Sequence, residues 1–196
     1  MGKGATTRQA ILEGATGLAS QVGIEGLSIG RLAESLHLSK SGLFGHFRSK
    51  ESLQVQLLQY AAERFIEVVV RPALKAPRGE PRVRVLFENW LAWENQPALP
   101  GGCPFLAASF ELDGRPGPAR DQLVRSQKDW FELIANCFRT GLTEGHFKAS
   151  ADPEQFAQDL QGVALAYHFS SRLLSDPKAG ERAHAAFEAL IRAVRA

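Results

Sequence analysis

The sequence contains little that would support a disulfide framework, a metal centre or a membrane span. Its 196 residues include two cysteines, and they form no paired spacing of the zinc type. No segment approaches the roughly 18 uncharged apolar residues that a membrane-spanning helix requires. The basic N-terminus is not followed by the apolar stretch of a secretory signal. We therefore expect a cytoplasmic protein with no metal, no cofactor and no membrane partner.

Signatures of catalysis are also scarce. The chain has no glycine-rich phosphate-binding loop of the dinucleotide or P-loop type. Cys103 could be paired with His146 or His168, but no motif around the cysteine supports a thiol nucleophile. The sequence therefore favours a protein that is not an enzyme.

Charge is unevenly distributed along a chain of ordinary globular composition, with 44% hydrophobic and 22% charged residues. Residues 1–50 carry six basic and three acidic side chains, whereas the remainder carries 17 basic and 18 acidic ones. A basic end on a near-neutral body fits a chain that contacts a polyanion at one end. The excess is too small to decide the matter by itself.

Nearly every periodic stretch has the three-to-four spacing of an amphipathic helix, and none alternates with period two. The long helix that begins at Ser49 is predicted to end at Arg71-Pro72, because proline disfavours helix at the residue before it. The predicted fold class is all-α. Its predicted division is an N-terminal domain over residues 1–48 and a C-terminal helical domain over residues 49–196.

Two short helices joined by a tight turn, after a longer helix, form a helix-turn-helix pattern. We expect Leu38, Leu43 and Phe47 to supply the inward face of the second short helix. The outward face, which would meet the major groove of DNA, carries Lys40, Ser41, Phe44 and His46. An ordinary helical hairpin has the same pattern, so the spacing alone does not decide between the two.

The residues themselves carry a more specific resemblance. The segments LSIGRLA (27–33), LSKSGLFGHF (38–47) and SKESL (49–53) resemble the N-terminal domain of the TetR/AcrR family, within a match over residues 6–65. The resemblance implies a three-helix helix-turn-helix DNA-binding domain followed by a helical ligand-binding and dimerisation domain. It also implies a homodimeric transcriptional repressor that binds double-stranded operator DNA and is released by a small-molecule effector.

Carried over position by position, the resemblance implies DNA contacts at nine residues: Ser28, Arg31, Ser39, Lys40, Ser41, Gly42, Phe44, His46 and Lys50. Lys50 resembles the family's phosphate-contacting lysine, and a helix N-terminus at this place favours anions. Three departures leave the base preferences open. Phe44 stands where many relatives have tyrosine, Gly45 where a bulkier residue is common, and His37 where a turn glycine is usual.

Aromatic residues are frequent in the predicted C-terminal domain, where they could line an apolar pocket between helices or form ordinary core. The candidate pocket residues are Trp90, Trp93, Cys103, Phe105, Phe110, Trp130, Cys137, Tyr167 and His168. A pocket of this composition suits an apolar or aromatic effector. Binding of the effector is expected to shift the fourth helix. This shift would change the spacing between the two recognition helices of a dimer.

The last two predicted helices each carry an apolar stripe, which could form a four-helix dimer interface or pack only within the subunit. The candidate interface residues are Leu160, Gly162, Val163, Ala166, Ser170, Phe187, Leu190, Ile191 and Val194. A twofold dimer would present its recognition helices to half-sites about 34–36 Å apart, or multiples of that spacing. The operator is therefore expected to be palindromic.

Two alternatives keep the DNA-binding domain but change the regulation. The first is a redox-sensing repressor that uses Cys103 or Cys137 in place of a small-molecule pocket. The second is an activator or an architectural DNA-binding protein, and strong sequence-independent binding would favour the architectural role.

Overall fold

The computed structural model describes residues 3–196, with side chains from Arg8 onward. Met1 and Gly2, with which the predicted N-terminal domain begins, lie outside the described residues. Ten α-helices occupy the described range: α1 Lys3–Val22, α2 Ile29–Ser35, α3 Lys40–His46, α4 Lys50–Phe65, α5 Arg71–Leu74, α6 Glu80–Glu94, α7 Pro104–Leu112, α8 Pro118–Thr143, α9 Pro153–His168 and α10 Ala179–Val194. No strand occurs in that range, where one isolated bridge joins Phe147 to Arg195. The predicted all-α fold class is confirmed.

The prediction that the fourth helix ends at Arg71-Pro72 is wrong. After Phe65 the chain continues as a π-helical segment, Ile66–Val70, and then as α5, with Pro72 in the first turn of α5. A proline lacks the N–H that an α-helix interior needs, but that N–H has no helical partner in a first turn. The wider π-type turns lie directly before it, at the point where the α-helical bonding is interrupted.

The described chain forms two compact units. Unit 1 combines the residues up to Phe65 with Trp93–Ser126, and unit 2 combines Ile66–Ala92 with Gln127–Ala196. Unit 1 therefore holds both the helix-turn-helix segment and α7, which packs against α1 and α4. The domain boundary between residues 48 and 49 stays a prediction.

The core of unit 1 holds α1 against the segment before α7 through very close backbone contacts. Leu27, Leu32 and Leu53 are completely buried in this core. A Cβ on Gly101 would lie 1.7 Å from the Ser20 carbonyl oxygen, so only glycine fits there. The Gly101 N–H also donates to Ser20 Oγ at 3.1 Å. This contact joins α1 to the loop that leads into α7.

Unit 2 is built around stacked aromatic rings. Phe87 on α6 stacks on Phe187 on α10 with centroids 4.1 Å apart, and Phe138 stacks on Phe147 at 4.2 Å. Offset aromatic stacking adds to the free energy gained from burying the rings. The Phe87–Phe187 contact holds one face of α10 against α6 of the same chain.

Over the described part of the chain, no helix is both long enough and apolar enough to cross a bilayer.

Candidate nucleic-acid interface and effector site

One face of helix α3 packs against the core of unit 1, and the opposite face is exposed to solvent. Ser39 caps the helix by accepting a hydrogen bond from the Gly42 N–H at 3.1 Å. Leu43 and Phe47 are buried, as the sequence predicts. The third predicted inward residue, Leu38, is 41% exposed, so that prediction is wrong. Leu38 lies in the turn, where its N–H bonds to the Ala33 carbonyl at 2.9 Å and its side chain does not reach the core.

All nine predicted DNA-contact residues belong to unit 1, and eight of them are exposed. His46 is half-buried, and its ring lies 6.2 Å from that of Phe47. Phe44 is 54% exposed although it is a large apolar side chain. Helix α3 therefore presents a mixed polar and aromatic surface to solvent, of the kind that a recognition helix offers to base edges.

The first helix of the motif is fixed by its own polar residues. Ser28 Oγ accepts a hydrogen bond from the Arg31 N–H at 3.2 Å and so caps α2. The Arg31 guanidinium donates to the Gly26 carbonyl at 3.3 Å. In the turn between the two helices, His37 has a φ of 54°. This is the left-handed region that glycine adopts without strain and histidine does not.

Lys50 lies at the N-terminus of α4, and its ammonium already has partners. Nζ donates to the Glu25 carbonyl oxygen at 2.7 Å and lies 3.4 Å from Glu25 Oε2. The same carboxylate accepts from the Gln54 amide at 2.9 Å and from the Arg115 guanidinium at 2.8 Å. The hydrogen bond from Gln54, followed by the charges of Lys50 and Arg115, lowers the pKa of Glu25. Glu25 is therefore ionised at neutral pH.

Sequence reasoning missed Glu111, which connects α7 to the loop between α1 and α2. Its two carboxylate oxygens accept hydrogen bonds from the N–H groups of Ile24 at 3.1 Å and Glu25 at 2.7 Å. Gly23 makes room for this approach, because a Cβ there would lie 2.4 Å from Glu111 Oε1. These partners are more than 80 residues apart in sequence, so no local pattern could have indicated the contact.

A hollow in unit 2 contains two of the nine predicted pocket residues. Its lining comes from α6, α8 and α9: Phe87, Trp90, Trp130, Leu160, Gln161 and Ala164. Its free volume of about 10 Å³ is close to the space that a single water molecule needs. Tyr167 lies beside the hollow, with its ring 5.8 Å from that of Trp90 in an edge-on contact. Cys137 is buried and His168 half-buried in the same unit, but neither lines the hollow.

The other four predicted pocket residues belong to unit 1. Trp93 and Phe105 pack edge-on against Phe65, at 5.4 and 6.0 Å between ring centroids. Cys103 is buried near them, and its N–H donates to the fully buried carboxylate of Glu94 at 2.7 Å. Phe110 is 68% exposed, so it does not line an enclosed site. The predicted set is thus divided between two units.

Both cysteines are held as protonated thiols. Burial, together with the charge of Glu94, raises the pKa of the Cys103 thiol to about 12. Burial also raises the pKa of Cys137. Because the thiolate is the species that oxidants and electrophiles attack, these environments disfavour the redox-sensing alternative.

The predicted dimer residues fall into two groups, those that are buried within the chain and those that are at least partly exposed. Leu160, Phe187 and Ile191 are buried within the chain itself, so they cannot be presented to a partner, and this part of the prediction is corrected. The remaining candidates are exposed or half-buried: Gly162, Val163, Ala166, Ser170, Leu190 and Val194. Sequence reasoning missed three exposed apolar residues just beyond α9: Phe169, Leu173 and Leu174.

Helices α1 to α3 form a helix-turn-helix segment, in which α2 and α3 are capped by serine and one face of α3 is exposed. The rest of the described chain is a larger helical body. The family model for the tetR family of bacterial regulatory proteins matches residues 11–57. The model for the tetracyclin repressor-like C-terminal domain matches residues 79–187. The chain belongs to the TetR family. This membership confirms the prediction of a regulatory protein that is not an enzyme.

Individual relatives agree with this assignment. The chain is 35% identical over 85 residues to the HTH-type transcriptional repressor AcnR of Corynebacterium diphtheriae, a match covering 43% of this chain. The matched region spans 45% of that relative's length.

Two solved structures share the fold. A TetR regulator from Chloroflexus aurantiacus, 24% identical, superposes with a TM-score of 0.87 over 100% of this chain and 99% of its own. AibR, in complex with isovaleryl coenzyme A and operator DNA, is 22% identical with a TM-score of 0.69. That superposition covers 82% of this chain and 85% of AibR.

Proposed function

We propose that this protein is a transcriptional repressor that binds a palindromic operator as a homodimer and is released by a small apolar or aromatic effector. The open face of α3 carries the proposal, because a helix held by buried Leu43 and Phe47 exposes Lys40, Ser41 and Phe44 together. The family assignment, the repressor AcnR and the operator-bound AibR support it.

The contacts are proposed to have two kinds of role. Ser41 and Phe44 meet base edges from within the major groove, where a phenylalanine ring can contact a thymine methyl group. Lys50 contacts a phosphate at the start of α4, where the helix N-terminus also favours an anion. The other six predicted residues position the motif on the duplex or contact its backbone.

The exposed part of α9 and α10 is the proposed dimer surface. It consists of Gly162, Val163, Ala166, Ser170, Leu190 and Val194, with Phe169, Leu173 and Leu174 extending it. The small residues Gly162, Ala166 and Ser170, at four-residue steps and exposed or half-buried, allow a second copy of the helix to approach closely. A monomer that persists at high concentration in sedimentation experiments would contradict this surface.

The hollow lined by Trp90 and Trp130 is the proposed effector site. Its side chains are aromatic or aliphatic except for that of Gln161, whose amide could fix the orientation of a ligand. A drug-sized molecule needs far more room than the hollow has, so binding requires side chains or helices to move. Such an effector lowers operator affinity only to the extent that it binds the released conformation more tightly.

The DNA-binding proposal is tested with variants of the two contact types. Lys50→Ala should reduce the slope of log affinity against log salt by about 0.9 per bound chain, with similar losses on all sequences. Ser41→Ala and Phe44→Ala should change which operator bases are preferred, measured by binding selection from a randomised duplex pool. Lys128→Ala, at an exposed position on α8, is the control matched in charge to Lys50→Ala. Equal, sequence-independent losses from all three contact variants would contradict the assigned roles.

A further inference from the structure

Lys50 shares an anionic neighbour with a second cation. Glu25 Oε2 lies 2.8 Å from an Arg115 nitrogen and 3.4 Å from Lys50 Nζ. Both bases are accessible, with 64% of the Arg115 side chain and 44% of the Lys50 side chain exposed. Arg115 is thus the nearer of the two cations to this carboxylate oxygen, whereas the shortest bond of Lys50 is to the Glu25 backbone carbonyl.

The loop that carries Arg115 is held in place beside Lys50. Glu111, four residues earlier, binds the backbone N–H groups of Ile24 and Glu25. On the other side of Arg115, a Cβ on Gly117 would lie 3.2 Å from the carboxylate of Glu51, the neighbour of Lys50 on α4. The segment from residue 111 to residue 117 is therefore anchored at Glu111 to the loop before α2, and at Gly117 it passes close to the first turn of α4.

We propose that Arg115 is a positioning residue for DNA binding, because it binds the Glu25 carboxylate and so leaves the Lys50 ammonium available to a DNA phosphate. Without Arg115, the Glu25 carboxylate loses its nearer cation and draws Lys50 Nζ, now 3.4 Å away, into a closer pair, so that the Lys50 charge is lost from the phosphate-facing surface. The inference rests on the proposed phosphate contact of Lys50. It also connects α7 to the DNA-binding surface, since Glu111 and Arg115 flank the end of that helix.

An indirect role of Arg115 and a direct contact of Arg115 with DNA lead to different expected results. If Arg115 acts through Glu25, its removal matters only while Glu25 carries a charge and Lys50 is present. If Arg115 contacts a phosphate itself, its removal has the same effect whatever occupies position 25. A double-mutant cycle separates these two cases.

The experiment measures binding of the full chain to a short mixed-sequence, non-palindromic DNA duplex across a salt series. We expect R115A to reduce the salt slope by about 0.9 per chain, which over a fourfold rise in salt corresponds to about 3.5-fold in affinity. R115A in an E25Q background should have no further effect, and R115A should add nothing to K50A. R115K should return the slope toward that of the unchanged protein. Thermal unfolding of each variant verifies that the substitutions leave the fold intact.

Two results would overturn the inference. An equal effect of R115A with and without E25Q, while K50A reduces the slope, would show that Arg115 contacts DNA directly and would leave the proposed function standing. An unchanged salt slope in K50A would show that Lys50 does not contact a phosphate. It would contradict both the inference and this part of the proposed function.

Discussion

Replacing Glu111 by alanine removes an acceptor that two backbone N–H groups share, those of Ile24 and Glu25. A hydrogen bond to a charged group contributes about 1.5–3 kcal/mol. Two fully buried bonds of this kind would contribute about 3–6 kcal/mol. Both bonds here are only partly buried, so water compensates for part of their loss. We therefore expect a loss of about 2–3 kcal/mol in the local free energy of opening.

Hydrogen exchange measures this loss at the two amides concerned. Because about 1.4 kcal/mol corresponds to a factor of ten, the Ile24 and Glu25 amides should exchange about 30- to 150-fold faster in E111A. Glu111→Gln keeps one acceptor oxygen and should give an intermediate increase. Glu63→Ala, at an exposed position on α4 in the same unit, is the control. Unchanged exchange of both amides in E111A would show that the Glu111 carboxylate does not protect them. An equal acceleration in E63A would show that the effect is not specific to Glu111.

Three further predictions concern the turn residue His37, the buried thiol of Cys103 and the hollow beside Ala164. His37→Gly should raise the free energy of unfolding by about 0.5–1 kcal/mol in denaturant titrations, because the left-handed backbone costs histidine more than glycine; a lower stability would contradict this. Burial raises the pKa of the Cys103 thiol from 9.0 to about 12, so the unfolded chain loses its proton first and stability falls as pH rises above about 9. Cys103→Ala should remove that part of the alkaline dependence, and an identical pH profile would refute the assignment. Ala164→Val should fill the hollow, whose free volume is about 10 Å³, and weaken thermal stabilisation by any apolar compound that binds there; a retained response would place the effector site elsewhere.

Local signals predicted the helix-turn-helix segment closely. The structure contains the two short helices and the tight turn that the pattern predicts, with Ser28 and Ser39 capping α2 and α3. The spacing of apolar residues also predicted that Leu43 and Phe47 are buried. Such features depend on residues within three or four positions of one another, which is the range over which helix caps and helical faces act.

Periodicity was insufficient where a helix has more than one apolar neighbour. The stripes on α9 and α10 are amphipathic, but the sequence could not tell whether a partner subunit or the same chain covers them. Phe87, about 100 positions before Phe187, stacks on it and takes one of these faces. The aromatic residues of the predicted pocket likewise divide between two units, because composition carries no information on which helices meet.

The all-α class, the family and the exposure of Lys40, Ser41 and Phe44 on α3 could be predicted from the sequence, since each follows from short-range spacing and from a specific local motif. The positions of Glu111 and Arg115 against Glu25, beside Lys50, became known from the tertiary structure. These contacts join residues about 90 positions apart. Their free energy depends on distances of a few ångströms that the packing of α7 against α1 and α4 sets, and no local pattern encodes those distances.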